Sequence, residues 1–335
     1  MFSRLSLLPR YAASALHKLG APRRAARWQA WNTKVFGTEL ARQYYIMGLA
    51  GPNVALPTVP VLQGLGGQIC RQADIESEWL RFWCGQLHCM PLYHRKLWED
   101  CFAVQALWEA EMLQPGRRGL GFAVGVEHLP AYLASQGVEV VATDLDIGDV
   151  RAAKWVDTDQ HGNAPDRLFQ PDLVARADFD RLVTLRAADM VNIPPDLAQG
   201  GFDFVWSVCA LEHLGTIEAG LRFIEKAMDS LKPGGVAVHT TEFNIDPDGP
   251  TISRGTTVLF QRRHIEELGR RLAAKGHTLL PVDFDPGQGV LDGFIDLPPY
   301  PYEGGPLRVP DAPHLKLSVL GYAATSIGLI VRKAA

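Results

Sequence analysis

The sequence predicts an α/β fold: a doubly wound, mainly parallel sheet preceded by a mostly helical N-terminal cap. Three observations predict it. From Arg117 onward, apolar runs alternate with helical patterns, and strands separated by helices imply crossover connections and parallel pairing. A glycine-bearing stretch at 119–125 ends an apolar run and precedes a helical pattern, with Asp144 placed 19 residues beyond Gly125. Residues 1–113 show helical spacing and no clear strand alternation.

Composition bounds the function. The chain has 335 residues, 47% hydrophobic and 21% charged, which suits a large globular core. A formal net charge of -4 argues against general nucleic-acid binding. Cys70, Cys84, Cys89, Cys101 and Cys209 form no CxxC pair, as expected of free thiols in a reducing, cytoplasmic setting. No apolar run reaches the ~18 residues of a transmembrane helix, so no stable membrane insertion is expected. The N-terminus carries Arg4, Arg10, Lys18, Arg23, Arg24, Arg27 and Lys34 without an acid. It reads as a basic surface helix, with a transit peptide or a membrane-surface helix as the other readings.

The elements follow in order. Asp74 is placed to cap a helix over IESEWLRFWCGQL, and a second helix is expected over 92–112, ended by Gln114, Pro115 and Gly116. The segment GPNVALPTVPVLQGLGGQ reads as loop. Strands are expected at GLGFAV, VEVVATD, FDFVWSV, GVAVHTTE, TLLPVDF and SIGLIVRK, and helices at HLPAYLASQ, EAGLRFIEKAMDSL and RHIEELGRRLAAKG. A Pro-rich insertion at 286–324 separates the last two strands. The expected division is therefore a helical cap or lid, 1–113, and a cofactor-binding domain, 114–335.

A glycine loop after a strand, followed by an acid at this offset, is the arrangement that holds a nucleoside and its ribose hydroxyls. A dinucleotide would set its pyrophosphate on the helix N-terminus. Glu127 stands there, and its charge disfavours a phosphate. S-adenosylmethionine carries an ammonium instead, which a carboxylate can bind. Glu127 is thus either the ammonium's partner or a helix cap, and both readings favour S-adenosylmethionine over NAD.

At this point the chain resembles the class I S-adenosylmethionine-dependent methyltransferases over about 116–335. Their first motif appears in altered form, with Gly121, Ala123, Gly125 and Glu127 where the family usually has an acid and three glycines. The second is VEVVATD, the third Ala188-Asp189-Met190, the fourth FDFVWSVCALEHL and the fifth LKPGGVAVHTTEFN. The resemblance implies a seven-stranded sheet with an antiparallel last strand. It also implies cofactor contacts at Gly119, Gly121, Ala123, Gly125, Glu127, Asp144, Leu145, Asp189, Met190, Ser207 and Val208. Asp144 would bond the ribose and Asp189 the adenine amino group.

Methyl transfer is an in-line displacement that needs an aligned acceptor and often a base. Glu212 and His213 follow the fourth strand, and His239, Thr240, Thr241, Glu242 and Asn244 crowd the end of the fifth. Polar groups at a buried strand end are costly unless paired or lining a site. His213, Glu242 and Glu212 are therefore the candidate catalytic residues, with packing beside the cofactor as the alternative for His213. His264 and His314 read as structural. Cys84, His88, Cys89 and His94 lie close in sequence, but their spacing suits core packing better than zinc, and no metal is expected. Trp79, Phe82, Trp83, Tyr93 and Trp98 read as packing anchors.

The expected activity is methyl transfer to a small polar molecule or a glycan. A non-methylating use of the same cofactor, as in a cyclase or lyase, and a binding protein that retains the fold are the alternatives. An oligomer is compatible with the sequence.

Overall fold

The computed structural model describes residues 8–49, 57–300 and 313–335. Residues 301–312 of the expected insertion lie outside the described residues. In chain order the strands are β1 (Gly67–Ile69), β2 (Arg118–Gly121), β3 (Glu139–Asp144), β4 (Val183–Ala187), β5 (Phe202–Ser207), β6 (Leu231–Asn244), β7 (Thr278–Leu279), β8 (Val282–Asp283), β9 (Ile295–Asp296), β10 (Lys316–Val319) and β11 (Tyr322–Arg332). The helices are α1 (Leu8–Tyr44), α2 (Gln72–Ile75), α3 (Glu78–Gln86), α4 (Arg95–Glu109), α5 (Leu129–Ser135), α6 (Ala153–Asp157), α7 (Pro165–Leu168), α8 (Arg176–Leu182), α9 (Ile217–Ala227) and α10 (Arg262–Ala274).

The sheet runs β4-β3-β2-β5-β6-β11-β1-β8. Its first five strands are parallel, and β11 returns antiparallel to β6, pairing Leu329 with His239 and Thr325 with Phe243. The chain steps outward from β2 to β3 and β4, then returns to the other side of β2 for β5 and β6. The order therefore reverses between β2 and β5, where open α/β sheets bind ligands at the strand carboxyl ends. Helices cover both faces, and this is why β5 is buried along its whole length and reads as an unbroken apolar run. Phe204 and Trp206 pack with α3, α4 and α5 on one face. Val205 and Leu120 pack with α9 and α10 on the other.

Several expectations need correction. Eleven strands, not seven, join the sheet among the described residues. Four of the additions, β1, β4, β9 and β10, lie where the sequence showed no strand: they are two to five residues long, too short or too polar to display a period of two. α3 starts later than expected. Ser77, not Asp74, caps it, its side chain accepting from the Leu80 N–H, while Asp74 lies in α2. The 92–112 helix is α4, shorter at both ends.

The N-terminal segment is also more than a lid. β1 pairs with β11, and α4 packs directly on β6 and β11. The approach is close: a Cβ on Gly328 of β11 would come within 2.3 Å of the Phe102 ring. Helical spacing announced α4 as a helix without saying against what it packs, and so did not show that it belongs to the sheet's own helical layer.

Candidate functional site

A cavity of about 490 Å³ opens at the carboxyl ends of β2, β3, β4 and β5. Ala123, Gly125, Asp144, Leu145, Asp189, Met190 and His213, all expected at the site, line it. Cys209, Ala210, Arg151, Lys154, Trp155, Gln160, Gly255 and Thr256 line it as well, though the sequence did not single them out. Gly119, Gly121, Glu127, Ser207, Val208, Glu212 and Glu242 are not among its lining residues.

Each departure has a packing reason. Gly119 and Gly121 lie within β2 under the rings of Phe204 and Trp206, where a Cβ would meet either ring at 2.4 Å. These glycines seat the central strands. Gly125 belongs to the loop proper. Its φ of +54° favours glycine, and a Cβ there would come within 2.7 Å of the Gln160 carbonyl. Ser207 is buried and hydrogen-bonded to His239 Nδ1 at 2.8 Å, and burial pushes the His239 imidazole down to about 3. β5 thus hands over to the cavity two residues later than expected, at Cys209 and Ala210.

Asp144 ends β3 with both carboxylate oxygens engaged by backbone donors. Oδ1 accepts from the Leu145 N–H at 2.8 Å and Oδ2 from the Gly162 N–H at 3.0 Å. The second donor comes from a loop that returns over the glycine turn. A Cβ on Gly162 would sit 2.3 Å from the Gly125 carbonyl oxygen, so only glycine allows this approach. His161 braces the same loop by donating from Nε2 to the Leu145 carbonyl at 3.0 Å. Across the cavity, Asp189 accepts from Arg151 at 2.8 Å and from the Val191 N–H at 2.9 Å.

Glu127 sits beside the loop, on the side of Trp206, whose indole N–H donates to Oε2 at 3.2 Å. It does not cap α5, which opens at Leu129 without a side-chain cap. Burial, with Asp100 of α4 adding to it, holds the Glu127 carboxyl well above the usual carboxylate range. Asp100 itself is pushed up to about 7 by burial and by neighbouring Glu99.

Two residues at adjacent strand ends carry backbone strain. Ala123 after β2 has φ +50° and Cys209 after β5 has φ +49°, in a region costing a non-glycine residue on the order of 1–3 kcal/mol. Both line the cavity. The Cys209 thiol donates to Glu212 Oε1 and lies 3.4 Å from Arg95 Nη1. Burial, followed by the nearby Glu212 and Glu99, pushes that thiol well above its ordinary value, so it stays protonated. Glu212 Oε2 accepts from Thr241 at 2.9 Å. Glu242 is ion-paired with Arg95 through Oε1, while its Oε2 is buried without a partner. Desolvation opposes ionisation of Glu242, yet the Arg95 guanidinium holds its carboxyl below the ordinary value. Cys209, Glu212 and Glu242 converge closely enough to ligate an ion, but the Arg95 guanidinium already sits between the thiol and Glu242. Of the other sequence cluster only Cys84 and Cys89 meet: Cys84 also faces Cys101 at 3.9 Å, and His94 instead caps α4 and stacks on His314.

His213 turns its ring toward Thr256. Nδ1 lies 2.8 Å from the Thr256 carbonyl oxygen, which can only accept, so the proton resides on Nδ1 and Nε2 keeps its lone pair. Trp155 meets the imidazole edge-on, with centroids 5.1 Å apart.

The cavity's size and the Asp144 carboxylate at its edge are compatible with a nucleoside, while Glu127, acted on by Asp100, stands beside the loop and outside the cavity's lining.

Known proteins resemble parts of the chain. The family described as a methyltransferase domain matches residues 120–239. No curated protein sequence matches the chain. Among solved structures, a putative sarcosine dimethylglycine methyltransferase from Galdieria sulphuraria is 15% identical, covering 71% of this chain and 84% of its own with a TM-score of 0.41. The magnesium protoporphyrin IX methyltransferase of Synechocystis PCC 6803, with bound S-adenosylhomocysteine, is 15% identical over 93% of this chain and 100% of its own, at a TM-score of 0.42. An S-adenosylmethionine-dependent methyltransferase from Mesorhizobium loti is 18% identical over 68% of this chain and 98% of its own, at 0.37. Residues 120–239, which carry the glycine turn, Asp144, Asp189 and Cys209, are similar to a methyltransferase domain, and the cofactor such a domain uses is S-adenosylmethionine.

Proposed function

We propose that the protein methylates a hydroxyl or amine of a small polar molecule or glycan, held beside His213 at the carboxyl ends of β5 and β6. The observation that carries this reading is the tautomer of His213. Thr256 fixes the proton on Nδ1 and leaves a basic Nε2 on a residue that lines the cavity. S-adenosylmethionine supplies an electrophilic methyl group when bound. Asp144 accepts from the ribose hydroxyls with the lone pairs its two backbone donors leave free, and Leu145, Asp189 and Met190 frame the base. Glu127 takes the charge of the cofactor's ammonium, directly or through water. His213 Nε2 removes the acceptor's proton as methylation proceeds. Cys209, kept as a thiol by burial, contributes shape at the transfer end and does not compete as a nucleophile. Glu212 and Glu242 act from behind this wall: Glu212 holds the Cys209 thiol, and Glu242 with Arg95 supports the strand end.

His213→Asn tests the assignment. With a panel of hydroxy- and amino-bearing acceptors, turnover should fall by about 10²- to 10⁴-fold, while calorimetric affinity for S-adenosylhomocysteine stays within about twofold. Undiminished turnover would remove His213 as the base. Methylthioadenosine as the product, in place of S-adenosylhomocysteine and a methylated acceptor, would replace the reaction itself.

A further inference from the structure

The segment 146–162 leaves the end of β3 and returns to it, but its middle reaches other strands. Arg151 donates to Asp189, just beyond β4, at 2.8 Å. Trp155 of α6 meets the ring of His213, beyond β5, with centroids 5.1 Å apart. The Gly162 N–H then comes back to Asp144 Oδ2 at 3.0 Å, beside the Gly125 carbonyl that follows β2. In the strand order β4-β3-β2-β5, these contacts reach the ends of all four strands. The segment therefore passes across the cavity, which Arg151, Lys154, Trp155 and Gln160 line.

Its ends are fixed and its middle is lightly held. At one end the Leu145 N–H donates to Asp144. At the other, His161 is buried and donates to the Leu145 carbonyl at 3.0 Å. Between them α6 buries no residue, Ala152 is the one buried side chain of 146–160, and Val150 is 86% exposed. A stretch with so few buried apolar contacts opens locally while the rest of the fold stays intact. Two contacts cross the cavity: an ion pair whose arginine is half exposed and one edge-on ring contact. Each is of modest strength.

We propose that residues 146–160 form a hinged strap over the cofactor, latched by Arg151 on Asp189 and by Trp155 on His213. S-adenosylmethionine enters and S-adenosylhomocysteine leaves when the latch opens. The inference concerns passage of the cofactor alone and holds whether or not His213 is the base. A latch also has its own kinetic signature. Loosening it eases passage in both directions, whereas deleting a contact to the ligand speeds dissociation only.

Stopped-flow binding of S-adenosylhomocysteine to the full chain tests it. In Arg151→Ala the association and dissociation rate constants should both rise about two- to fivefold, the range for one exposed ion pair, with affinity changing by less than about twofold. Unchanged rates overturn the proposal, and so does faster dissociation alone with a matching loss of affinity. Hydrogen exchange on the wild type is the second readout. Without cofactor, the amides of 150–158 should exchange at least about a hundredfold faster than those of β3, and they should slow when S-adenosylhomocysteine is added. Protection of 150–158 equal to that of β3 in the cofactor-free protein overturns it as well.

Discussion

Asp100 carries a consequence for stability. It sits on α4, next to Glu99, and its carboxyl is raised from 3.8 to about 7. A carboxyl raised in the folded state stabilises the fold while protonated, and that contribution disappears as pH rises through the folded value. Stability of the cofactor-free protein should therefore decline between about pH 4 and pH 7. Asp100→Asn, which keeps a neutral amide at all pH values, should gain on the wild type over that window. Thermal unfolding at pH 5 and pH 8 measures it, and a constant difference between the two proteins would refute the assignment. A slope from Glu127 will persist, since its carboxyl is raised too. Neither Asp100 nor Cys209 was singled out in the sequence. Asp144, Ala123 and His213 were legible because each lies at or within a few residues of a strand end inside a motif. Asp100 acts on Glu127 from a helix, and such proximity leaves no spacing to read.

Among the elements, the loop that carries Gln160, His161 and Gly162 does what the glycine turn alone cannot. It supplies the second donor to Asp144 and lies against Gly125 so closely that the Gly162 position admits no side chain. Gly162→Ala should push the loop off the turn. Affinity for S-adenosylhomocysteine should drop by at least about tenfold, equivalent to about 1.4 kcal/mol, and the melting temperature should fall. Calorimetry showing unchanged affinity would mean that the loop is not part of the cofactor site. This loop was invisible in the sequence because it has no period and no motif, only a late return to the first turn. The central strands were visible for the opposite reason: β3, β5 and β6 are buried along most of their length and each carries a short apolar run, VVA, FVW and VAV. β4 escaped notice because VTLRA carries an exposed threonine and a half-buried arginine.

At the scale of the molecule, the chain divides differently from the expected cap and domain. One apolar cluster joins Trp83, Trp98, Phe102 and Leu107 of α3 and α4 to Phe204, Trp206, Val236, Val238 and Ile330 of the sheet. A chain beginning at Gln114 would uncover those five sheet residues. At about 1.5–3 kcal/mol for each large apolar side chain, the loss is comparable to the whole net stability of a domain, ~5–15 kcal/mol. It would also strip β11 of its β1 partner and leave Glu242 buried without Arg95, the costly way to break a buried ion pair. The 114–335 chain should therefore show no cooperative thermal transition and no cofactor binding. A chain lacking only 1–27 should keep both, because the inward anchor of α1 begins at Lys34. Circular dichroism on heating, together with titration of S-adenosylhomocysteine, distinguishes the outcomes. A cooperative 114–335 chain that binds the cofactor with full affinity would restore the helical segment to the separable lid that its sequence first suggests.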